Sequence, residues 1–255
     1  MSEVIVVADA AEAGRLAADA IAALVVRKPD TVLGIATGST PLPVYAALAA
    51  RGLDLRRLQV FALDEYVDLP LDHPQSYHAV VEREVTLPLG LDPDRVHVPG
   101  EGPIQRASAA YEALLAGAGG VDLQLLGIGT DGHIGFNEPG SSLASRTRIK
   151  TLAEQTRRDN ARFFPSLDDV PRHCITQGLG TILEARHLVL LAFGARKRAA
   201  LAAAVEGPVT ASLPASAIQL HPHVTVLADE EAAAGLVRLD YYRTAYAQKP
   251  DWQGL

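Results

Sequence analysis

Short apolar runs alternate with alanine-rich stretches along the chain, and the two differ in period. The runs at 3–7, 31–36, 58–63, 121–129, 187–193 and 223–229 are apolar at nearly every position and are predicted to be strands. After the first of them, Leu16, Ala17, Ala20, Ile21 and Leu24 recur at helical spacing, which predicts a helix over 9–26. Helices are likewise predicted over 41–50, 77–85, 106–116, 196–205 and 229–238. Strands that are apolar on both faces, separated by helices, predict an α/β fold with a mostly parallel sheet covered on both sides. Such sheets hold ligands at the carboxyl ends of their strands. Chemistry is therefore expected after Ala36, Leu63, Gly127 and Phe193.

Composition narrows this picture. A chain of 255 residues that is 48% hydrophobic can bury one sizeable core. No linker-like segment divides it, so a single domain over 1–255 is expected. The net charge of −7 argues against nucleic-acid binding, which needs a basic face, but a small anion needs only a local cluster of donors. The lone cysteine, Cys174, excludes an intrachain disulfide, suits a reducing compartment and reads as a small core residue. The first residues lack the basic-then-apolar pattern of a signal peptide, and no apolar run is long enough to span a membrane. Together these features predict a cytoplasmic protein.

Four strand ends carry candidate chemistry. The first, Gly34 to Pro41, is a glycine-rich turn with a proline at the following helix start. It offers backbone N–H groups to an anion, although an ordinary tight turn would look the same. The second, Asp64-Glu65-Tyr66, places two acids directly after a strand. Successive strand side chains face opposite ways, so one of the two faces a cleft, where it could act as a base. The third, Gly127 to Pro139, contains G-x-G-x-x-G. A dinucleotide site is rejected because no amphipathic helix follows and no acid stands about 20 residues on. What remains is Asp131, His133 and Glu138 in a short glycine-rich loop, a set suited to proton transfer near neutral pH. The fourth, Phe193 to Lys197, brings a lysine to a strand end. In addition, Arg146, Arg148, Lys150, Arg157, Arg158 and Arg162 concentrate positive charge in an acidic chain. These signals together point to a proton-transferring enzyme acting on a small phosphorylated metabolite.

The longer motifs resemble those of the glucosamine-6-phosphate deaminase family: LDEYV (63–67), HPQSYH (73–78), GIGTDGHIGFNEPGSSLASRTRIKTL (127–152), RRDNARFF (157–164) and QLHPHVTVLADE (219–230). The sister lactonases share Asp-Gly-His but continue with Ala-Ser-Leu-Phe-Pro, where this chain has Ile-Gly-Phe-Asn-Glu-Pro. The resemblance implies a three-layer, modified Rossmann-like fold and the conversion of glucosamine 6-phosphate and water to fructose 6-phosphate and ammonia, with no metal or organic cofactor. It makes Asp64 the base that moves a proton between C2 and C1. His133 would assist ring opening, oriented by Asp131 and Glu138. The phosphate would be held by Gly38, Ser39, Thr40, Arg162 and Lys197. The segment 148–177 resembles the family's mobile lid.

Some members of the family are hexamers activated by N-acetylglucosamine 6-phosphate. Their activator contacts resemble Ser141, Arg148, Lys150, Thr151 and Tyr241 here, and also involve the N-terminal amine, around which Met-Ser-Glu-Val departs from the expected pattern. The resemblance thus implies a homo-oligomer. Alternatives that the sequence leaves open are a galactosamine-6-phosphate deaminase, a lactonase-like hydrolase and a non-catalytic sugar-phosphate sensor.

Overall fold

The computed structural model describes residues 3–250 and 252–255. Met1 and Ser2, and with them the expected contribution of the N-terminal amine, lie outside the described residues. The chain runs β1 (Glu3–Val7), α1 (Ala10–Arg27), β2 (Val32–Ile35), α2 (Leu42–Ala49), β3 (Gln59–Ala62), β4 (Asp64–Tyr66), α3 (Tyr77–Val81), α4 (Leu87–Leu89), β5 (Val96–His97), α5 (Ile104–Gly117), β6 (Leu123–Gly127), β7 (Arg148–Thr151), α6 (Glu154–Asn160), β8 (His173–Thr176), α7 (Leu179–Ile182), β9 (Leu188–Ala192), α8 (Arg198–Glu206), β10 (Val224–Asp229), α9 (Glu230–Ala233) and α10 (Leu239–Ala247).

The main sheet has the order β1-β10-β9-β6-β2-β3-β5, and all its pairings are parallel. Its strands are apolar throughout because each face meets a core. Along β9, Leu188, Leu190 and Ala192 pack into one cluster with Tyr111 and Leu201, while Val189 and Leu191 pack into the other with Ile21 and Leu48. This alternation makes the expected three layers. From β2 the chain builds outward to β3 and β5, then returns to add β6 on the other side. The β2/β6 boundary is therefore the switch point at which such sheets open a crevice.

Two predicted helices differ from expectation. The helix expected over 77–85 leaves α geometry at Val81 and passes through a widened π turn, Glu82–Thr86, into α4. Pro88 has no N–H for the ladder, and its ring would crowd the carbonyl of Glu84 in a regular helix. The helix expected over 229–238 stops at Ala233, and α10 begins separately at Leu239. Gly235 lies so close to Arg198 that a Cβ there would stand 2.8 Å from its side chain.

A second sheet, β4-β8-β7, is antiparallel and was not expected from the sequence. Its residues Arg148 to Thr151 and His173 to Thr176 mix polar and apolar types, so periodicity does not announce them. The sheet carries Asp64 on β4, opposite Thr176. It covers a small aromatic core of Tyr66, Phe136 and Phe164. Among the described residues, no helix is long and apolar enough to cross a membrane.

Candidate active site

The expected strand ends converge on one cavity of about 440 Å³. Gly38, Ser39, Thr40, Asp64, His133, Arg162 and Lys197 all line it. Each of these residues reaches the cavity for a local reason.

After β2 the chain turns at Gly38, whose φ of +86° is in the left-handed region that strains a side chain. The following α2 starts behind Pro41 without a side-chain cap. Pro41 and Pro43 have no N–H, and those of Val44 and Tyr45 donate to the Pro41 carbonyl, so an anion here would meet the N–H groups of the Gly38–Thr40 turn at the positive end of the helix.

Asp64 is buried, and among the described residues no donor bonds its carboxylate. Burial and the neighbouring Glu65 charge push its pKa up to about 8. Glu65 faces the opposite way and accepts N–H bonds from Tyr66 (2.6 Å), Tyr77 (2.9 Å) and His78 (2.8 Å). Only one acid of the pair faces the cavity, as strand alternation requires.

The loop after β6 folds back on itself, with Gly129 N–H bonded to the His133 carbonyl at 2.9 Å. A Cβ on Gly129 would stand 2.3 Å from the imidazole, so only glycine lets the ring lie against this turn. Asp131 Oδ1 accepts the His133 backbone N–H at 3.1 Å and lies 2.7 Å from Nδ1. That last approach is close without the alignment of a hydrogen bond, so among the described residues Nδ1 and Glu138 Oε2, 3.9 Å apart, are unpartnered buried atoms. Burial opposes charge on Asp131, but the His133 ring outweighs it and holds the carboxyl down at about 2. The donor atoms of Asp131, His133 and Glu138 fall within 4.8 Å of one another, close enough to share a cation. Both carboxylates, however, approach the same ring nitrogen. This arrangement fixes the imidazole and leaves Nε2 for the cavity, as proton transfer requires.

Lys197 donates to the Ile128 carbonyl at 2.6 Å. Burial, aided by Arg196, lowers its pKa. Arg162 packs its guanidinium over the Phe163 ring, 4.6 Å from the centroid. The cavity is therefore lined both by cationic groups, Lys197 and Arg162, and by the Asp64 carboxylate and the His133 imidazole.

The remaining expected residues stand outside the cavity. Asp131 and Glu138 support His133 from behind. Ser141 is buried with an unpartnered hydroxyl. Arg148, Lys150 and Thr151 lie on β7, where Arg148 donates to Asn137 Oδ1 at 2.7 Å. Tyr241 stands apart, exposed on α10, which packs against β1. Lining residues that sequence reasoning passed over include Gln75, Tyr77, Arg83, Thr156 and Asn160. The HPQSYH motif contains the first two, and the one-turn spacing of Thr156 and Asn160 was a signal for the last two.

A family model described as glucosamine-6-phosphate isomerases/6-phosphogluconolactonase matches residues 7–227. The chain belongs to this family. It is 61% identical over 260 residues to a glucosamine-6-phosphate deaminase of Streptomyces coelicolor, covering 99% of this chain and all of that one. It is 57% identical over 270 residues to one from Bifidobacterium longum, covering both chains fully. Among solved structures, a monomeric glucosamine-6-phosphate deaminase superposes with a TM-score of 0.88 at 41% identity, over 91% of this chain and 99% of that one. A 6-phosphogluconolactonase of Trypanosoma brucei, at 22% identity and a TM-score of 0.75 over 93% and 99% of the two chains, shares the fold.

Proposed function

We propose that the chain is an isomerising deaminase that converts glucosamine 6-phosphate and water to fructose 6-phosphate and ammonia in amino-sugar catabolism. The observation that carries this reading is the pairing, across one cavity, of an unbonded Asp64 carboxylate with a His133 ring braced by two acids. Relatives of that name at about 60% identity over the whole chain support it.

The chemistry follows from the cationic groups and the carboxylate–imidazole pair. Lys197, Arg162 and the N–H groups around Gly38 to Thr40 bind the phosphate, and this remote binding energy positions the reacting carbons. His133 relays the proton that opens the ring. Asp64, ionised, takes the proton from C2 and returns it to C1 through an enolamine. Water then adds at C2 of the resulting imine, the C–N bond breaks, and ammonia leaves. The part of the lid range that covers the cavity is α6 and the turn after it. The ends of the range, β7 and β8, are strands of the second sheet, so movement falls to the segment between them.

The test is to incubate the protein with glucosamine 6-phosphate and assay both products. Equal ammonia and fructose 6-phosphate support the reading, and absence of both overturns it. Galactosamine 6-phosphate and the lactone serve as rival substrates, and binding without turnover would indicate a sensor.

Finer features belong to the same reading. The protein is cytoplasmic, forms a homo-oligomer up to a hexamer, and is activated by N-acetylglucosamine 6-phosphate at Ser141, Arg148, Lys150 and Thr151, with Tyr241 contributed from elsewhere. The Arg148–Asn137 bond supports this, since Asn137 Nδ2 also donates to the Ile134 and Gln177 carbonyls at 2.9 and 2.8 Å. An activator on Arg148 would thereby touch the His133 loop. A solution mass of one chain, or rate curves unchanged by the acetylated sugar phosphate, would overturn the respective claim; the solved structural relative described above is a monomer.

A further inference from the structure

The helix α6 is tied to the acid beside His133 and leads into Arg162. At its start, Ala153 N–H donates at 3.2 Å to Oε1 of Glu138, the acid behind His133. Directly after it comes Arg162, which lines the cavity. A seven-residue helix rises about 10 Å, roughly the reach of an open hexose phosphate. Two polar residues one turn apart, Thr156 and Asn160, line the cavity from this helix.

Their bonding is incomplete. Asn160 uses Nδ2 on the Tyr66 hydroxyl at 2.9 Å, which leaves Oδ1 as an acceptor. Thr156 is 4% exposed, and among the described residues its hydroxyl has no partner. Thr156 stands in the first turn of α6, so the carbonyl four residues back belongs to Leu152, before the helix, and its hydroxyl has no intrahelical back-bond to make. Buried polar atoms are seldom left unpaired without a reason. The hydroxyl is turned away from cavity solvent, while the residue itself lines the cavity. A threonine in a helix populates two χ1 wells, and rotation here breaks no hydrogen bond. One such step moves the hydroxyl to a new position on Cβ and frees it for a ligand.

We propose that this side of α6 recognises hydroxyl groups of the substrate's middle carbons, with Thr156 as a sugar-contacting residue and Asn160 Oδ1 as its companion acceptor. The groups read as holding the phosphate and the reacting carbons line the same cavity as Thr156 and Asn160, which leaves the hydroxyl-bearing carbons as the part of the substrate for α6 to meet. The inference deepens the deaminase reading by assigning residues to a part of the sugar that the catalytic set and the phosphate cradle leave unread.

The experiment measures binding rather than turnover, so it succeeds or fails independently of that reading. Glucitol 6-phosphate, a linear polyhydroxy phosphate, and inorganic phosphate are titrated calorimetrically into wild type, Thr156→Val and Thr156→Ser. Expected is an affinity for glucitol 6-phosphate about tenfold lower in the valine variant, as for a lost hydrogen bond that strands a buried partner. The serine variant stays within about twofold of wild type, and inorganic phosphate binds all three alike. The thermal midpoint of Thr156→Val does not fall, because an orphaned hydroxyl is lost. Equal affinities of wild type and Thr156→Val for glucitol 6-phosphate would overturn the proposal. So would a parallel loss of inorganic phosphate binding, which would place the effect at the phosphate-binding groups or in the fold.

Discussion

Asp64 and Glu65 are neighbours on one short strand with opposite surroundings: among the described residues, Glu65 takes three backbone N–H bonds and Asp64 takes none. The bonds make Glu65 a structural acid that holds the start of α3. The lack of them leaves Asp64 to burial, which raises its pKa to about 8 with help from the Glu65 charge. An acid so placed is a strong base once ionised. The kcat/KM of the free enzyme should therefore rise with pH, with an ascending midpoint near 8. Asp64→Asn should lose about 10² to 10⁴ in rate, the usual worth of a positioned base. Full activity in the asparagine variant would remove Asp64 from the mechanism.

The same carboxyl affects stability, with a definite sign. Unfolded, it ionises near pH 4, whereas folded it keeps its proton to about 8. Between those values the folded state binds more protons than the unfolded state, so stability falls as pH rises through this window. Asp64→Asn removes that penalty. Its thermal midpoint should match wild type near pH 4 and exceed it increasingly up to pH 8, read by calorimetry across that range. A pH-independent difference would mean that the carboxyl is not held protonated.

Gly129 tests whether ring placement or mere presence of His133 matters. Gly129→Ala would place a methyl 2.3 Å from the imidazole. Overpacking of this kind costs about 1–3 kcal/mol, which the fold can absorb, but the ring must move. We expect a folded variant with kcat/KM reduced at least tenfold. Unchanged turnover would show that the loop yields without moving the ring.

Far from the cavity, at the starts of β9 and β10, His187 and His223 stack at 3.6 Å and 5°. His187 also meets the Thr225 hydroxyl at 2.9 Å. Burial, then the His223 and His221 charges and Lys249, lowers the pKa of His187 to about 3, and burial also lowers that of His223. These rings are bound neutral, so the unfolded chain takes up protons first. Stability is full above about pH 6.5, the unfolded value, and is lost as pH falls from there toward 3. His187→Asn should flatten that acid slope in calorimetric melts between pH 4 and 7. A slope identical to wild type would exclude the stacked pair as its source.

The four strand ends were legible because buried parallel strands advertise themselves by unbroken apolar runs, and the fold delivers their ends to one edge. Strand alternation predicted that one of Asp64 and Glu65 faces the cavity; that it is Asp64 came only from the resemblance of LDEYV. The second sheet was not legible: Arg148 to Thr151 and His173 to Thr176 have no clean period, and their partners lie far apart in the chain. Thr156 and Asn160 escaped notice for a related reason. A short polar helix reads as surface until the cavity beneath it is seen.

Lys197 completes the pH profile. Burial, aided by Arg196, lowers its pKa from the usual lysine value, so its charge is lost at a lower pH than for an exposed lysine. Phosphate binding should weaken as that charge disappears, giving kcat/KM a descending alkaline limb opposite the rise set by Asp64, and hence a bell. In Lys197→Met the aliphatic stem remains while the charge goes. The KM for the sugar phosphate should rise at least tenfold, inhibition by inorganic phosphate should weaken with it, and kcat should fall too, because remote binding positions the reacting carbons. Lys197→Arg keeps a charge that does not titrate in this range. It should retain part of the affinity and flatten the alkaline limb. A methionine variant with wild-type KM and phosphate inhibition would move the anion site away from Lys197.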